Sequence, residues 1–198
     1  MALNDQSTRI RDGEELDAAI IDSYLKAHIP GLSGEPQISQ FPGGASNLTY
    51  LLEYPQQEFV LRRPPFGHKA KSAHDMGREY RILNQLNAGF PYCPKAYVHC
   101  TDESVIGAEF YVMERVNGII LRSELPPELG LDSAKTEALC KSFIDKFVEL
   151  HQVDYNAYGL GDLGKPEGYV ARQIKGWSDR YEKALTPDAP QWQTVKAW

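Results

Sequence analysis

Between Asp12 and Ala27 the apolar residues Leu16, Ile20 and Tyr24 recur every four positions, with Glu14 and Glu15 in the first turn and Pro30-Gly31 as the stop. That period lays one apolar stripe along a helix, so the segment predicts a first helix. The pattern then shortens. Runs at 38–41, 48–53, 58–62, 97–100 and 110–116 are rich in β-branched and aromatic residues, the composition of strands. Gly43-Gly44 separates the first two runs and Tyr54-Pro55-Gln56-Gln57 the next two, which predicts an antiparallel meander of three strands. One helix, at about 73–87, interrupts the strands before the last pair.

From Leu131 onward the spacing is helical. Asp132 or Ser133 can cap a helix whose stripe is Leu139, Phe143, Phe147 and Leu150. A second helix, over about 169–184, carries Val170, Ile174, Trp177 and Tyr181 on one face. The stretch 118–130, with Pro126-Pro127, is the expected crossing between a sheet-rich part and a helical part. The fold class is therefore α+β. Trp192, Val195 and Trp198 follow Pro190 at three-residue spacing and start a stripe that stops with the chain, so the 198 residues are expected to be a fragment of a longer protein.

Composition adds limits. With 42% hydrophobic and 24% charged residues the chain can bury a real core. A net charge of -6 opposes general attraction to nucleic acid or to an anionic membrane, so neither is an expected partner. No apolar run approaches a membrane span, and the N-terminus lacks a signal peptide's apolar core, from which a cytoplasmic location is expected. Cys93, Cys100 and Cys140 are scattered without metal-ligand spacing and read as reduced, packed thiols.

Four pieces of chemistry stand out. In Phe41-Pro-Gly-Gly-Ala-Ser-Asn-Leu-Thr-Tyr50, Gly43 and Gly44 let backbone N–H groups turn toward an anion, and Ser46 and Asn47 can add donors. The plain alternative is a tight turn, and no Gly-Lys-Ser/Thr ending makes this a Walker loop. The run 58–62 ends in Arg62, whose guanidinium can grip a phosphate through two N–H groups; alternatively, Arg62 and Arg63 are a solvated strand end. On the following helix, Met76, Tyr80 and Leu83 define the inward face, and Glu79 lies at its edge. A carboxylate at that border would aim a strand cation, or else rest in solvent beside Arg78. Six Lys or Arg residues between Arg62 and Arg81, against Asp75 and Glu79, reverse the chain's acidic balance locally. Finally, in the run 110–116, Met113 can wall an adenine pocket while the Glu114 carbonyl and the Val116 N–H face the purine, although the same residues suit an ordinary edge strand.

The order of these pieces resembles the aminoglycoside phosphotransferase and choline kinase-like family. Val60-Leu-Arg-Arg-Pro-Pro65, Ser72-Ala-His74, Arg78-Glu-Tyr-Arg-Ile-Leu83, Val105-Ile-Gly107 and Phe110-Tyr-Val-Met-Glu114 resemble the branch whose phosphotransferase domains are fused to acyl-CoA dehydrogenases. The resemblance implies a protein-kinase-like fold: a five-stranded nucleotide-binding lobe with an inserted helix at 1–117, then a hinge and an incomplete helical lobe at 118–198. It implies ATP as the nucleotide, with Gly43, Gly44, Ser46 and Asn47 over the phosphates, Arg62 paired with Glu79, and Met113, Glu114 and Val116 at the adenine hinge. It further implies a small-molecule hydroxyl acceptor, with hydroxylated acyl thioesters among the acceptors for this branch. The family's His-Gly-Asp motif and second metal-binding Asp do not occur in the 198 residues. Neither His151-Gln-Val-Asp154 nor His74-Asp75 replaces them, so no catalytic residue or metal ligand is assigned, and Mg²⁺ ligands are expected beyond Trp198. The expectation is an ATP-dependent phosphotransferase whose present chain is inactive alone, the alternative being a non-catalytic nucleotide- or partner-binding module.

Overall fold

Strand alternation sorts the side chains of a five-stranded antiparallel sheet into two faces, and the two faces have different uses. The computed structural model describes residues 5–43, 47–67, 74–121, 125–190 and 192–197. The strands are β1 (Gln37–Gln40), β2 (Leu48–Glu53), β3 (Glu58–Arg63), β4 (Ala96–Cys100) and β5 (Phe110–Glu114), in the order β1-β2-β3-β5-β4. The first three form the expected meander, with Gln37 opposite Glu53 and Leu48 opposite Arg63. On one face Tyr50, Leu52, Phe59, Leu61, Phe110 and Val112 join the main core. On the other, Leu51 and Val60 pack with Phe41 and Met113 in a smaller cluster. Because side chains alternate, neighbouring residues of one strand serve both.

Helix α1 (Ala18–His28) covers the first face through Ile21 and Leu25, both fully buried. This corrects the expected stripe and start. The Asp17 carboxylate accepts from Ala19 N at 2.9 Å and Ile20 N at 3.2 Å, so the helix begins after Glu14 and Glu15 rather than through them. Ile20 is left 44% exposed. Glu14 is used elsewhere: its carboxylate accepts from Arg11 Nε at 2.7 Å and Gln40 Nε2 at 2.6 Å. The segment ahead of α1 is pinned along β1 by a Thr8–Gln40 bridge and by a hydrogen bond from Ser39 Oγ to Ser7 Oγ.

Helix α2 (Met76–Leu86) packs against β4 and β5, its N-terminus capped by Asp75, which accepts from Arg78 N. Helices α3 (Ser133–His151) and α4 (Tyr169–Ala184) occupy the ranges their spacing predicts, and α3 is capped by Asp132. A 3-10 turn at Pro127–Leu129 and a short α5 (Gln193–Ala197) complete the described elements. The chain divides into two compact units, Met1–Leu160 with the sheet and α1 to α3, and Gly161–Trp198 with α4 and α5. Among the described residues, no helix is long and apolar enough to cross a membrane.

Candidate functional site

The smaller-cluster face of the sheet opens into a cavity of about 590 Å³ within the first unit. Its floor is strand side chains of one parity: Thr49 from β2, Val60 and Arg62 from β3, and Met113 from β5. Register explains why they meet, since Thr49 pairs with Arg62 and Val60 with Met113. Gly43 and Phe41 border it from the end of β1, and the chain beyond β5, from Glu114 to Ile120, supplies an apolar wall through Val116, Ile119 and Ile120. Among the described residues a Cβ placed on Gly43 would meet nothing within 4 Å, so packing against them does not demand glycine there.

Arg62 reaches out of this floor toward α2. Its Nη2 lies 3.5 Å from Glu79 Oε2, with both side chains 31% exposed. The contact is a loose, single approach rather than a two-pronged clamp, so it aims the guanidinium more than it stabilises the fold. Arg62 Nε is buried and has no hydrogen-bond partner among the described residues. An N–H left in that state carries a desolvation cost. Glu79 is held in turn: Tyr111 donates to its Oε2 at 2.9 Å and Asn47 Nδ2 donates to its Oε1 at 3.0 Å. Burial pushes the Tyr111 hydroxyl well above its ordinary range, with Arg62 opposing and Glu79 adding to the rise. It therefore stays a proton donor to the carboxylate.

Of the nine expected site residues, Gly43, Asn47, Arg62, Met113, Glu114 and Val116 line the one cavity, and Glu79 stands behind Arg62. Gly44 and Ser46 lie outside the described residues, as do Lys69, Lys71 and Ser72-Ala73 of the basic stretch. Asn47 has its carboxamide turned to Glu79 and to His74 rather than to the open cavity. β5 ends at Glu114 instead of continuing to Val116. Arg115 then leaves the strand direction, stacking on the Phe41 ring at 4.8 Å and donating from Nη2 to the Asp5 carbonyl at 3.0 Å. Tyr111 is not among the expected site residues, and His74, set aside above as a replacement for the catalytic motif, joins the site as a hydrogen-bond partner of Asn47. Tyr111 shares the parity of Met113 on β5, which is the signal that could have placed it beside Arg62.

A five-stranded antiparallel sheet with an inserted helix that orients a strand cation belongs to the kinase-like class of α+β folds. Residues 37–198 match the phosphotransferase enzyme family, and the chain belongs to that family. Acyl-CoA dehydrogenase family member 11 of Gallus gallus is 34% identical over 203 residues, covering 100% of this chain and 26% of the relative. The Homo sapiens protein of the same name is 34% identical over 189 residues, covering 93% of this chain and 24% of its own length. A solved Ralstonia eutropha protein assigned as an aminoglycoside phosphotransferase is 34% identical with a TM-score of 0.76, covering 92% of this chain and 52% of its own. The chain thus spans about a quarter of the length of these curated relatives and about half that of the solved protein. The family and fusion branch read from the sequence words are the ones found.

Proposed function

We propose that the protein to which this chain belongs is an ATP-dependent kinase that transfers the γ-phosphoryl group to a hydroxyl of a small molecule. The cavity on the Arg62 face of the sheet is the proposed nucleotide seat. Met113 would back the adenine, the Glu114 carbonyl and Val116 N–H would meet its polar edge, and the backbone near Gly43, with Gly44, Ser46 and Asn47, would lie over the phosphates. Arg62, aimed by Glu79, would neutralise phosphate charge. The observation that carries this reading is a strand cation, Arg62, on the floor of a cavity and aimed by the Glu79 carboxylate 3.5 Å away. When bound, Mg²⁺ would screen the phosphate oxygens. Among the described residues no three His, Cys, Asp or Glu side chains are grouped to hold a metal, so its protein ligands are proposed to come from outside them. The names of the relatives favour a hydroxylated acyl thioester as the acceptor class.

Calorimetric titration with ATP tests the seat. Arg62→Ala should weaken binding by on the order of tenfold or more, the size of a lost charge-assisted contact. Glu79→Ala should weaken it less, because it frees the cation instead of removing it. Unchanged affinity in both variants would sink the assignment. The 198 residues alone are expected to bind ATP without transferring phosphate, since the sequence holds no His-Gly-Asp. If a longer protein that includes the relatives' further length also binds ATP and transfers none, the non-catalytic module replaces the kinase reading.

A further inference from the structure

Among the described residues His74 is the only non-glycine with a left-handed backbone, at φ 71°. That conformation crowds the Cβ of an ordinary residue against its own backbone, and persists only where surrounding contacts impose it. Among the described residues one side-chain hydrogen bond holds it. His74 Nδ1 lies 2.8 Å from Asn47 Oδ1, and the Asn47 side chain continues through Nδ2 to Glu79 Oε1 at 3.0 Å. Asn47 itself is only 6% exposed, so its amide has little water to fall back on.

Hydrogen-bond chemistry fixes the direction of this chain of contacts. Glu79, as the carboxylate facing Arg62, only accepts, so Asn47 must present its NH₂ to Glu79 and its carbonyl oxygen to His74. A carbonyl oxygen also only accepts. The proton between His74 and Asn47 therefore belongs to His74 Nδ1.

From this geometry we propose that His74 is a positioning residue for the strand cation. Its Nδ1–H orients Asn47, Asn47 occupies Glu79 Oε1, and Glu79 Oε2 is left for Tyr111 at 2.9 Å and Arg62 at 3.5 Å. The same relay joins Asn47, just ahead of β2, to the residue just ahead of the α2 cap, so a polar connection ties the two segments that flank Arg62. The proposal rests on the nucleotide reading only in making ATP affinity one of its readouts. His74 touches no reacting atom, and its effect passes through two side chains.

Two variants separate the donor from the backbone. His74→Asn and His74→Asp both tolerate a left-handed φ, but Asn offers an N–H near the place of Nδ1 whereas Asp offers only oxygens toward Asn47 Oδ1. In the 198-residue chain, ATP affinity should fall by on the order of tenfold in His74→Asp and stay within about threefold of wild type in His74→Asn. Their thermal midpoints should lie close together, because both keep the fold. Equal affinities in the two variants would overturn the proposal, as would a common loss that follows their melting temperatures. Nitrogen-15 spectra of the imidazole at a pH where histidine is neutral give a readout independent of nucleotide, and they should show the Nδ1–H tautomer. An Nε2–H tautomer would refute the relay. Failure of the wild-type chain to bind ATP would remove the nucleotide reading instead, and the tautomer would still decide the relay.

Discussion

Arg62 and Arg63 are adjacent, yet they belong to opposite sides of the sheet. Arg62 is partly exposed at the cavity, while Arg63 is 1% exposed on the main-core side of the sheet. Its Nε donates to the Pro64 carbonyl at 3.2 Å, its Nη1 to the Ile106 carbonyl at 3.0 Å, and its guanidinium stacks on Phe66 at 3.8 Å. Burial draws its pKa below the usual arginine value, partly offset by Tyr50 and Glu14. The expectation that both arginines could be a solvated strand end thus fails for Arg63, which is enclosed because strand parity turns it inward. Arg63→Ala should cost about 3 kcal/mol, by leaving carbonyls unsatisfied and a void, whereas Arg62→Ala should cost less than about 1 kcal/mol. Urea unfolding of both variants reads the contrast. Equal losses would mean that Arg63 does not hold the β3 end to the loop ahead of β5.

At the scale of elements, the segment before α1 behaves as a strap across β1. Gln40, nearly fully buried, accepts from Arg11 N at 2.9 Å and donates to Glu14, while Tyr50 donates to the Glu14 carbonyl at 2.8 Å. The Gln40 amide holds the Glu14 carboxyl below its usual range; burial opposes it, and the hydrogen bond and charge of Arg11, with the charge of Arg63, add to the lowering. A carboxyl with a lowered folded pKa contributes stability above its unfolded value, near pH 4.3, and loses it as pH falls through the folded value. Wild type should therefore lose more stability between about pH 5 and pH 3 than Glu14→Gln does, as urea midpoints at the two pH values would show. Identical acid limbs would refute the coupling. This strap also marks what the sequence could and could not tell. The ranges of α3 and α4, and the β1–β3 meander, follow from local period, caps and turns, so they were legible. The start of α1 was not, because Glu14 and Glu15 look like first-turn carboxylates until Gln40, 26 residues away, claims one of them. The site shows the same division. Arg62, Glu79 and the run through Val116 were readable from residue type and order, but the roles of Tyr111, His74 and Arg115 depend on cross-strand register and on the path of the chain after β5.

For the molecule as a whole, burial is unevenly shared between the units. The main core and the cavity both lie in Met1–Leu160, whereas none of the described residues of Gly161–Trp198 is buried. All three tryptophans of the chain are in the second unit, with Trp177 64% and Trp192 54% exposed, and Trp198 outside the described residues. The stripe of Val170, Ile174 and Trp177 on α4 is thus present but uncovered, and a helix of 16 residues without a buried face gains little beyond its own marginal propensity. The unit that would seat the nucleotide has the core needed to hold its geometry, so ATP titration of the 198-residue chain addresses the site directly. Spectroscopy should separate the two units. In a Trp198→Phe variant, native tryptophan emission should already peak near the wavelength of the unfolded chain and be quenched by acrylamide almost as strongly, while the near-ultraviolet dichroism of buried Tyr50, Tyr54 and Tyr111 collapses on unfolding. A native emission that is blue-shifted, and moves red together with the tyrosine signal, would show that Trp177 and Trp192 are covered and share in the cooperative core.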